Sequence, residues 1–278
     1  MTLYYYPPYR LKDQKLEIMT CNDTLVEFTY GKNISIKGIN FTKCYQGLLF
    51  KGSPKNVTID KCKFSHQQAY YAVQFPNGAG TVNVTITNNE AYNLFGAFCY
   101  VKTGNLKRLT DGNCLIKNNV IIQVAQYYKN AGAICGPYQV ENFGSVGTTV
   151  EHNVIQDIPG GAGVGLGGTH IKIMNNEIVN AGKYMNDYGA IYMGRSSSYF
   201  DTEVAYNFLH NFNNTNDYKG LYNDDAFAGA YWHHNIMVDM ESPSNQAPGF
   251  NTRYMYNVAV NCAKGGINGS RKNFSNGE

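Results

Sequence analysis

The sequence predicts an all-β chain wound as a parallel β-helix of about nine coils. Three features predict it: a phrase that recurs along almost the whole chain, a composition suited to strands, and the lack of a helical period. The phrase is an apolar residue, two residues, Asn or a substitute, one residue and a second apolar residue. It reads IKGINF ending at Phe41, IDKCKF at Phe64, ITNNEA at Ala91, IKNNVI at Ile121, VEHNVI at Ile155, IMNNEI at Ile178, VAYNFL at Leu209, WHHNIM at Met237 and YMYNVA at Ala259. Its fourth position is Ile39, Cys62, Asn89, Asn119, Asn153, Asn176, Asn207, Asn235 and Asn257, a mean spacing of about 27 residues. Aromatic residues make up 14% of the chain, with 23 Tyr, and charged residues only 15%. That balance suits half-buried strands.

Units this short cannot bury a core alone; they become stable when each coil stacks its strands on the next around a continuous apolar interior. Asn at one repeated corner has a physical reason, because it tolerates the left-handed backbone of a tight turn and stacked amides can bond from coil to coil. The seven Asn are therefore read as structural. A second aligned strand follows several ladder positions: GAFCY at 96–100, GAICG at 132–136, GVGLG at 163–167, GAIYM at 189–193 and GLYND at 220–224. Its leading Gly marks a bend. This alignment puts Cys99 and Cys135 in matching places of neighbouring coils and predicts an interior stack of thiols rather than a disulfide.

Residues 1–31 match the phrase poorly and read as a lead-in, with Pro7 and Pro8 after a Tyr run. Residues 32–262 read as the β-helix domain. Residues 263–278, rich in Gly, Asn, Ser and Lys, read as a flexible or truncated C-terminal segment, which suggests a fragment of a longer protein. The 23 basic and 20 acidic residues are scattered, so nucleic acid is not an expected partner, and no apolar run approaches the length of a membrane span. The seven Cys form no CxxC pair, which argues against zinc ribbons and thioredoxin-type motifs. Asn-X-Ser/Thr sequons at Asn22, Asn33, Asn40, Asn56, Asn83, Asn213, Asn268 and Asn273 are compatible with a secretory route, and equally with chance in an Asn-rich chain.

Polar residues gather between His170 and His234. Aligning Ile191 with Leu221 stacks Tyr192 over Tyr222 and brings Arg195 beside Asp225, across a strand spacing of about 4.8 Å. Glycoside hydrolysis needs two carboxyl groups, about 5 Å or about 6.5–9.5 Å apart according to mechanism. Asp187, Asp217, Asp224 and Asp225 are available. The repeated NDY, at Asn186 and Asn216, stacks Asp187 on Asp217, where like-charge repulsion would raise one pKa. Asp187 meets Asp224 only if the chain before Gly189 folds over the groove. Tyr192, Tyr222, Tyr231 and Trp232 offer aromatic faces for sugar rings. The six His, His170 and His210 among them, form no zinc-ligand spacing. No cofactor is called for, although oxygen ligands need no fixed spacing and calcium held by carboxylates stays open. GGAGVGLGG at 160–168 lacks the following helix of a dinucleotide loop.

GAIYMGR at 189–195, EVAYNFLHNF at 203–212, GLYNDD at 220–225 and TLYYYPP at 2–8 resemble right-handed parallel β-helix proteins of the pectate-lyase-like superfamily. Within it the chain looks most similar to the glycoside hydrolase family 141-like group, over nearly its whole length. The resemblance implies activity on plant cell-wall glycans and an acidic pair on neighbouring coils, here Asp187 with Asp224 or Asp225. It further implies a secreted, extracellular monomer with an oligosaccharide or polysaccharide as its partner. Three function classes stay open at this point. One is a glycoside hydrolase with Arg195, His170 and His210 lining the sugar site. Another is a lyase or epimerase in which a base removes the proton beside a uronate carboxylate that Arg195 or calcium neutralises. The last is a non-catalytic carbohydrate-binding or surface solenoid.

Overall fold

The computed structural model describes residues 19–76, 80–130, 132–136, 144–212, 217–247, 249–265 and 268–269. TLYYYPP, Asn216 of the second NDY, the sequons at Asn213 and Asn273, and most of the C-terminal segment lie outside the described residues. Within them the regular structure is all strand apart from a 3-10 turn at Leu106–Arg108. The strands sort into three parallel sheets of ten, nine and nine strands, against about nine coils expected. Each coil gives one strand to each sheet in turn. Thr24–Thr29, Lys32–Lys37 and Asn40–Cys44 are followed by Gln46–Lys51, Lys55–Asp60 and Lys63–Gln67 in the next coil. The solenoid extends past 32–262 at both ends: Thr24–Thr29 pairs with Gln46–Lys51, and Asn268–Gly269 pairs with Ser242–Gln246.

Alternation sets the interior. In the second sheet one inward row runs Ile36, Ile59, Ile86, Ile116, Val150, Ile173, Val204, Trp232, one residue per coil. Aromatic rings stack the same way: Phe50 lies 5.1 Å from Phe28 and 4.4 Å from Phe75. Each such buried side chain contributes about 1.5–3 kcal/mol. The fold follows from repetition, since a coil offers the next coil the same shape it received.

The Asn phrase straddles the corner from second to third sheet. The Nδ2 of Asn89 donates to Oδ1 of Asn119 at 2.9 Å, and the link repeats through Asn153, Asn176, Asn207, Asn235 and Asn257. The left-handed backbone, however, is not at the ladder Asn. It belongs to the residue before it: Gly38, Lys61, Asn88, Asn118, His152, Asn175, Tyr206, His234 and Tyr256 all have φ between 52° and 65°. That residue turns the chain, and the ladder Asn that follows turns its amide inward. Its selection therefore rests on bonding alone: Asn153 donates to Ile116, Glu151 and Asn176 and accepts from Asn119. Groups this buried cost free energy when unpaired.

The cysteine alignment is corrected by one residue. In register Cys99 lies beside Ile134, and Cys135 lies beside Tyr100. A one-residue slip flips the side chain to the other face. Cys99 thus joins the interior, while Cys135 packs in a separate cluster with Ala97, Tyr71, Tyr100 and Tyr128. The seven cysteines are free thiols.

Candidate functional site

The strands Tyr188–Met193 and Tyr218–Asn223 are neighbours in the first sheet, and all twelve residues are buried. Ile191 pairs with Leu221 and Tyr192 with Tyr222, as the alignment predicts. Ile191 and Leu221 fill the interior, so alternation sends Tyr192 and Tyr222 to the outer face. Their rings meet edge to face at 5.2 Å, and Tyr188 stacks on Tyr192 at 5.1 Å. The tyrosines act at this site through their hydroxyls, their rings being covered.

At Gly189 the chain bends. A Cβ there would stand 2.7 Å from the Tyr222 Cβ and 3.1 Å from the Ile191 carbonyl oxygen. The bend brings Asp187, itself left-handed at φ 55°, over Tyr222, whose hydroxyl donates to Asp187 Oδ1 at 2.7 Å. Tyr222 thus holds Asp187, while Tyr192, its partner in the ring contact, holds Asp224 of the next coil.

Asp224 is buried and fully engaged. The Tyr192 hydroxyl donates to its Oδ2, and Arg195 Nε donates to the same oxygen at 3.3 Å. Burial works to raise its pKa, yet the donors Tyr192, the Asp225 amide, Arg195 and Tyr222 outweigh it and hold the carboxyl below its usual range. Burial first, then the neighbouring carboxylates, push the Tyr192 and Tyr222 phenols upward, so both stay protonated donors. Arg195 pairs with Asp224 and not with Asp225, which is exposed. The backbones do adjoin as the register predicts, the Arg195 amide donating to the Asp225 carbonyl at 2.7 Å.

Asp187 and Asp217 also adjoin, the Asp187 amide donating to the Asp217 carbonyl at 2.9 Å. They do not form the bare like-charge pair that the repeated NDY predicts. The Lys219 ammonium sits between them, 3.3 Å from Asp187 Oδ1 and 3.0 Å from Asp217 Oδ2, and 4.6 Å above the Tyr222 ring. Its side chain is only 5% exposed, and a cation so buried is retained because both neighbours are anions. Lys219 stands where a calcium ion would bridge the two aspartates. Among the described residues no group of three or more His, Cys, Asp or Glu is arranged to hold a metal ion.

The remaining predicted residues lie elsewhere. Trp232 is fully buried in the interior row, which Tyr254 continues by stacking on it at 6.0 Å, so it offers no face to a sugar. His170 belongs to the second sheet, 2.7 Å from Asp111 Oδ1 and 3.8 Å from Asp201. His210 belongs to the third sheet, 2.9 Å from Glu177 and stacked on Phe208. Lys219 and Gly194 escaped the sequence reading. The signal for Lys219 was a lysine inside YKGLYN, an otherwise uncharged strand that must bury both faces.

Among the described residues no helix is long and apolar enough to cross a membrane. A family model described as right handed beta helix region matches residues 14–136. No curated protein and no solved structure matches the chain. With the three parallel sheets and the Asn ladder, the match identifies the fold as a right-handed parallel β-helix, an architecture consistent with pectate-lyase-like carbohydrate-active proteins.

Proposed function

We propose that the protein is a carbohydrate-active enzyme, a glycoside hydrolase acting outside the cell on a complex polysaccharide of the plant cell-wall type. One observation carries the proposal: Asp187 and Asp224, from neighbouring coils, are held by the hydroxyls of Tyr222 and Tyr192, whose rings meet at 5.2 Å. Asp224, held as a carboxylate by four donors, stabilises positive charge developing on the sugar ring. Asp187, with its side chain 65% exposed, transfers the proton. As the glycosidic C–O bond breaks, that proton goes to the leaving oxygen; water then adds its hydroxyl to the sugar carbon and returns a proton to Asp187. Arg195 orients Asp224 and, half exposed, presents its remaining donors to the substrate.

Lys219 supports a second reading. A cation 3.3 Å from Asp187 is an arrangement suited to a base, as in a lyase or epimerase that abstracts the proton beside a uronate carboxylate. The test is a screen against pectic, fucosylated and xylan-type glycans that follows reducing ends and ultraviolet absorbance together. Reducing ends that vanish in Asp187→Asn and Asp224→Asn support the hydrolase. An unsaturated, absorbing product replaces it with the lyase. Unchanged turnover in both variants overturns either reading, and silence on every glycan overturns catalysis in favour of a binding solenoid.

A further inference from the structure

Two imidazoles meet at the corner from second to third sheet, just after the strand Ala230–His233. Trp232 points inward, so alternation sends Tyr231 and His233 to the outer face. His233 lies beside Ala205 in register, and its ring reaches past that small side chain to Glu203 on the same face. Its Nε2 stands 3.1 Å from Glu203 Oε1, and Tyr231 stacks on it at 4.0 Å, leaving the side chain 7% exposed. The second oxygen of Glu203 faces Lys172 at 4.0 Å. His234 then turns the corner at φ 52°. Its ring is held between Tyr206 at 5.2 Å and Tyr256 at 5.1 Å, the residues of the same corner one coil before and one coil after. Held from both sides, Nδ1 of His234 stands 2.7 Å from Nδ1 of His233.

Two like nitrogens this close need either one hydrogen or one ion between them. Facing a carboxylate, Nε2 of His233 carries the hydrogen of that ring, which leaves its Nδ1 as a lone pair. The hydrogen in the contact therefore belongs to His234. Moving it from Nδ1 to Nε2 of the same exposed ring turns two lone pairs toward each other, with no proton lost. A carboxylate that fixes the far nitrogen, as Glu203 does, is the usual partner of a metal-bound imidazole. Two nitrogens each about 2.0–2.1 Å from one ion stand about 2.9 Å apart at a right angle and about 3.3 Å apart at the tetrahedral angle. The observed contact needs to open by about 0.2 Å for the first and about 0.6 Å for the second. Right-angled ligation is the smaller change.

We propose that His233 and His234 form a binding site for a divalent transition metal that favours tetragonal geometry, Cu2+ above all, with water completing the coordination. Glu203 is the positioning residue. With two protein ligands the site is smaller than the groups of three that the described residues lack. It lies on the second sheet, whereas Asp187 and Asp224 flank the first, and it does not rest on the carbohydrate reading.

Titration calorimetry of the full chain with Cu2+, with electron paramagnetic resonance of the loaded protein, tests this. One Cu2+ per chain is expected, with an axial spectrum split by two equatorial nitrogens and no competition from Ca2+. His234→Phe removes one ligand and keeps an aromatic ring at a corner where Tyr206 and Tyr256 already adopt φ 58° and 56°; the binding is expected to be lost. Glu203→Gln is expected to weaken it by about 10–100-fold. Binding unchanged in His234→Phe, a spectrum with nitrogen from a single ring, or no binding at all overturns the site. If His234→Phe does not fold, Glu203→Gln decides, and undiminished affinity in that variant overturns the site.

Discussion

Gly194 and Asp224 are packed so closely that a Cβ on Gly194 would stand 2.5 Å from the Asp224 Cβ. Asp224 occupies its place on the outer face of the first sheet because its neighbour has no side chain there. Gly194→Ala is therefore expected to push Asp224 off its Tyr192 and Arg195 partners. The cost in stability is about 1–3 kcal/mol, read by urea unfolding, with turnover lost by about two orders of magnitude if the carboxylate moves by about 1 Å. Wild-type activity in this variant would show that the position of Asp224 does not matter to the chemistry.

Asp224 also predicts a pH dependence. Its folded pKa is depressed, so the stability it contributes is fully present above the unfolded carboxyl value of about 3.9 and is lost as pH falls through the lower folded value. The advantage of wild type over Asp224→Asn is expected to be constant from neutral pH down to about pH 5 and to shrink below about pH 4. Denaturant melts of both proteins at a series of pH values check it. An advantage that grows in acid would mean that burial, not the four donors, dominates.

The ladder is predicted to be expensive to break in its middle. Asn153→Ala leaves the buried Asn119 backbone amide without its acceptor and takes the side-chain donor from the Ile116 carbonyl, while the Asn176 oxygen keeps the backbone amide of residue 153. A loss of about 1–3 kcal/mol is expected, the cost of one buried orphan. Asn257→Ala, at a half-buried ladder end, should cost clearly less. Equal costs would show that the amides do not act through their neighbours.

Thiol labelling separates the cysteines by place. Cys21 is exposed, whereas burial pushes the thiols of Cys44 up to about 11 and of Cys114 and Cys135 up to about 12. In the native protein at pH 8, Cys21 is expected to be alkylated rapidly and these three only as the chain unfolds. Mass spectrometry of the labelled peptides resolves them, and fast labelling of Cys135 would place it outside the buried cluster with Tyr71 and Tyr100.

The solenoid was legible because repetition averages out local error: nine phrases mark one corner, and the Asn of seven of them bond as a ladder does. What repetition does not encode is one-residue register. GAFCY and GAICG look aligned, yet Cys135 pairs with Tyr100, because the sheet corners differ in length from coil to coil. The same limit governs the site. Ile191 with Leu221 was readable from pattern, whereas the pairing of Arg195 with Asp224 instead of Asp225 depends on which side chain alternation sends outward. Trp232 misled for a different reason, an indole being equally at home in a core row and on a sugar face. Lys219 stood out only as a lysine in an otherwise uncharged strand, and its role emerged with the two anions in place around it.

The stacked amides also have a direction. Each buried Asn from Asn89 to Asn235 donates to the Asn of the following coil, so these dipoles add head to tail toward the C-terminal end. The exposed stack on the second sheet runs the other way: Asn113 donates to Asn83, Asn83 to Asn56 and Asn56 to Asn33. A single file of amides would accumulate polarity along the axis with every coil added. Two antiparallel files of amides, one dry and one wet, oppose each other over the coils they share and leave the dry file to set the sense of the axis beyond them.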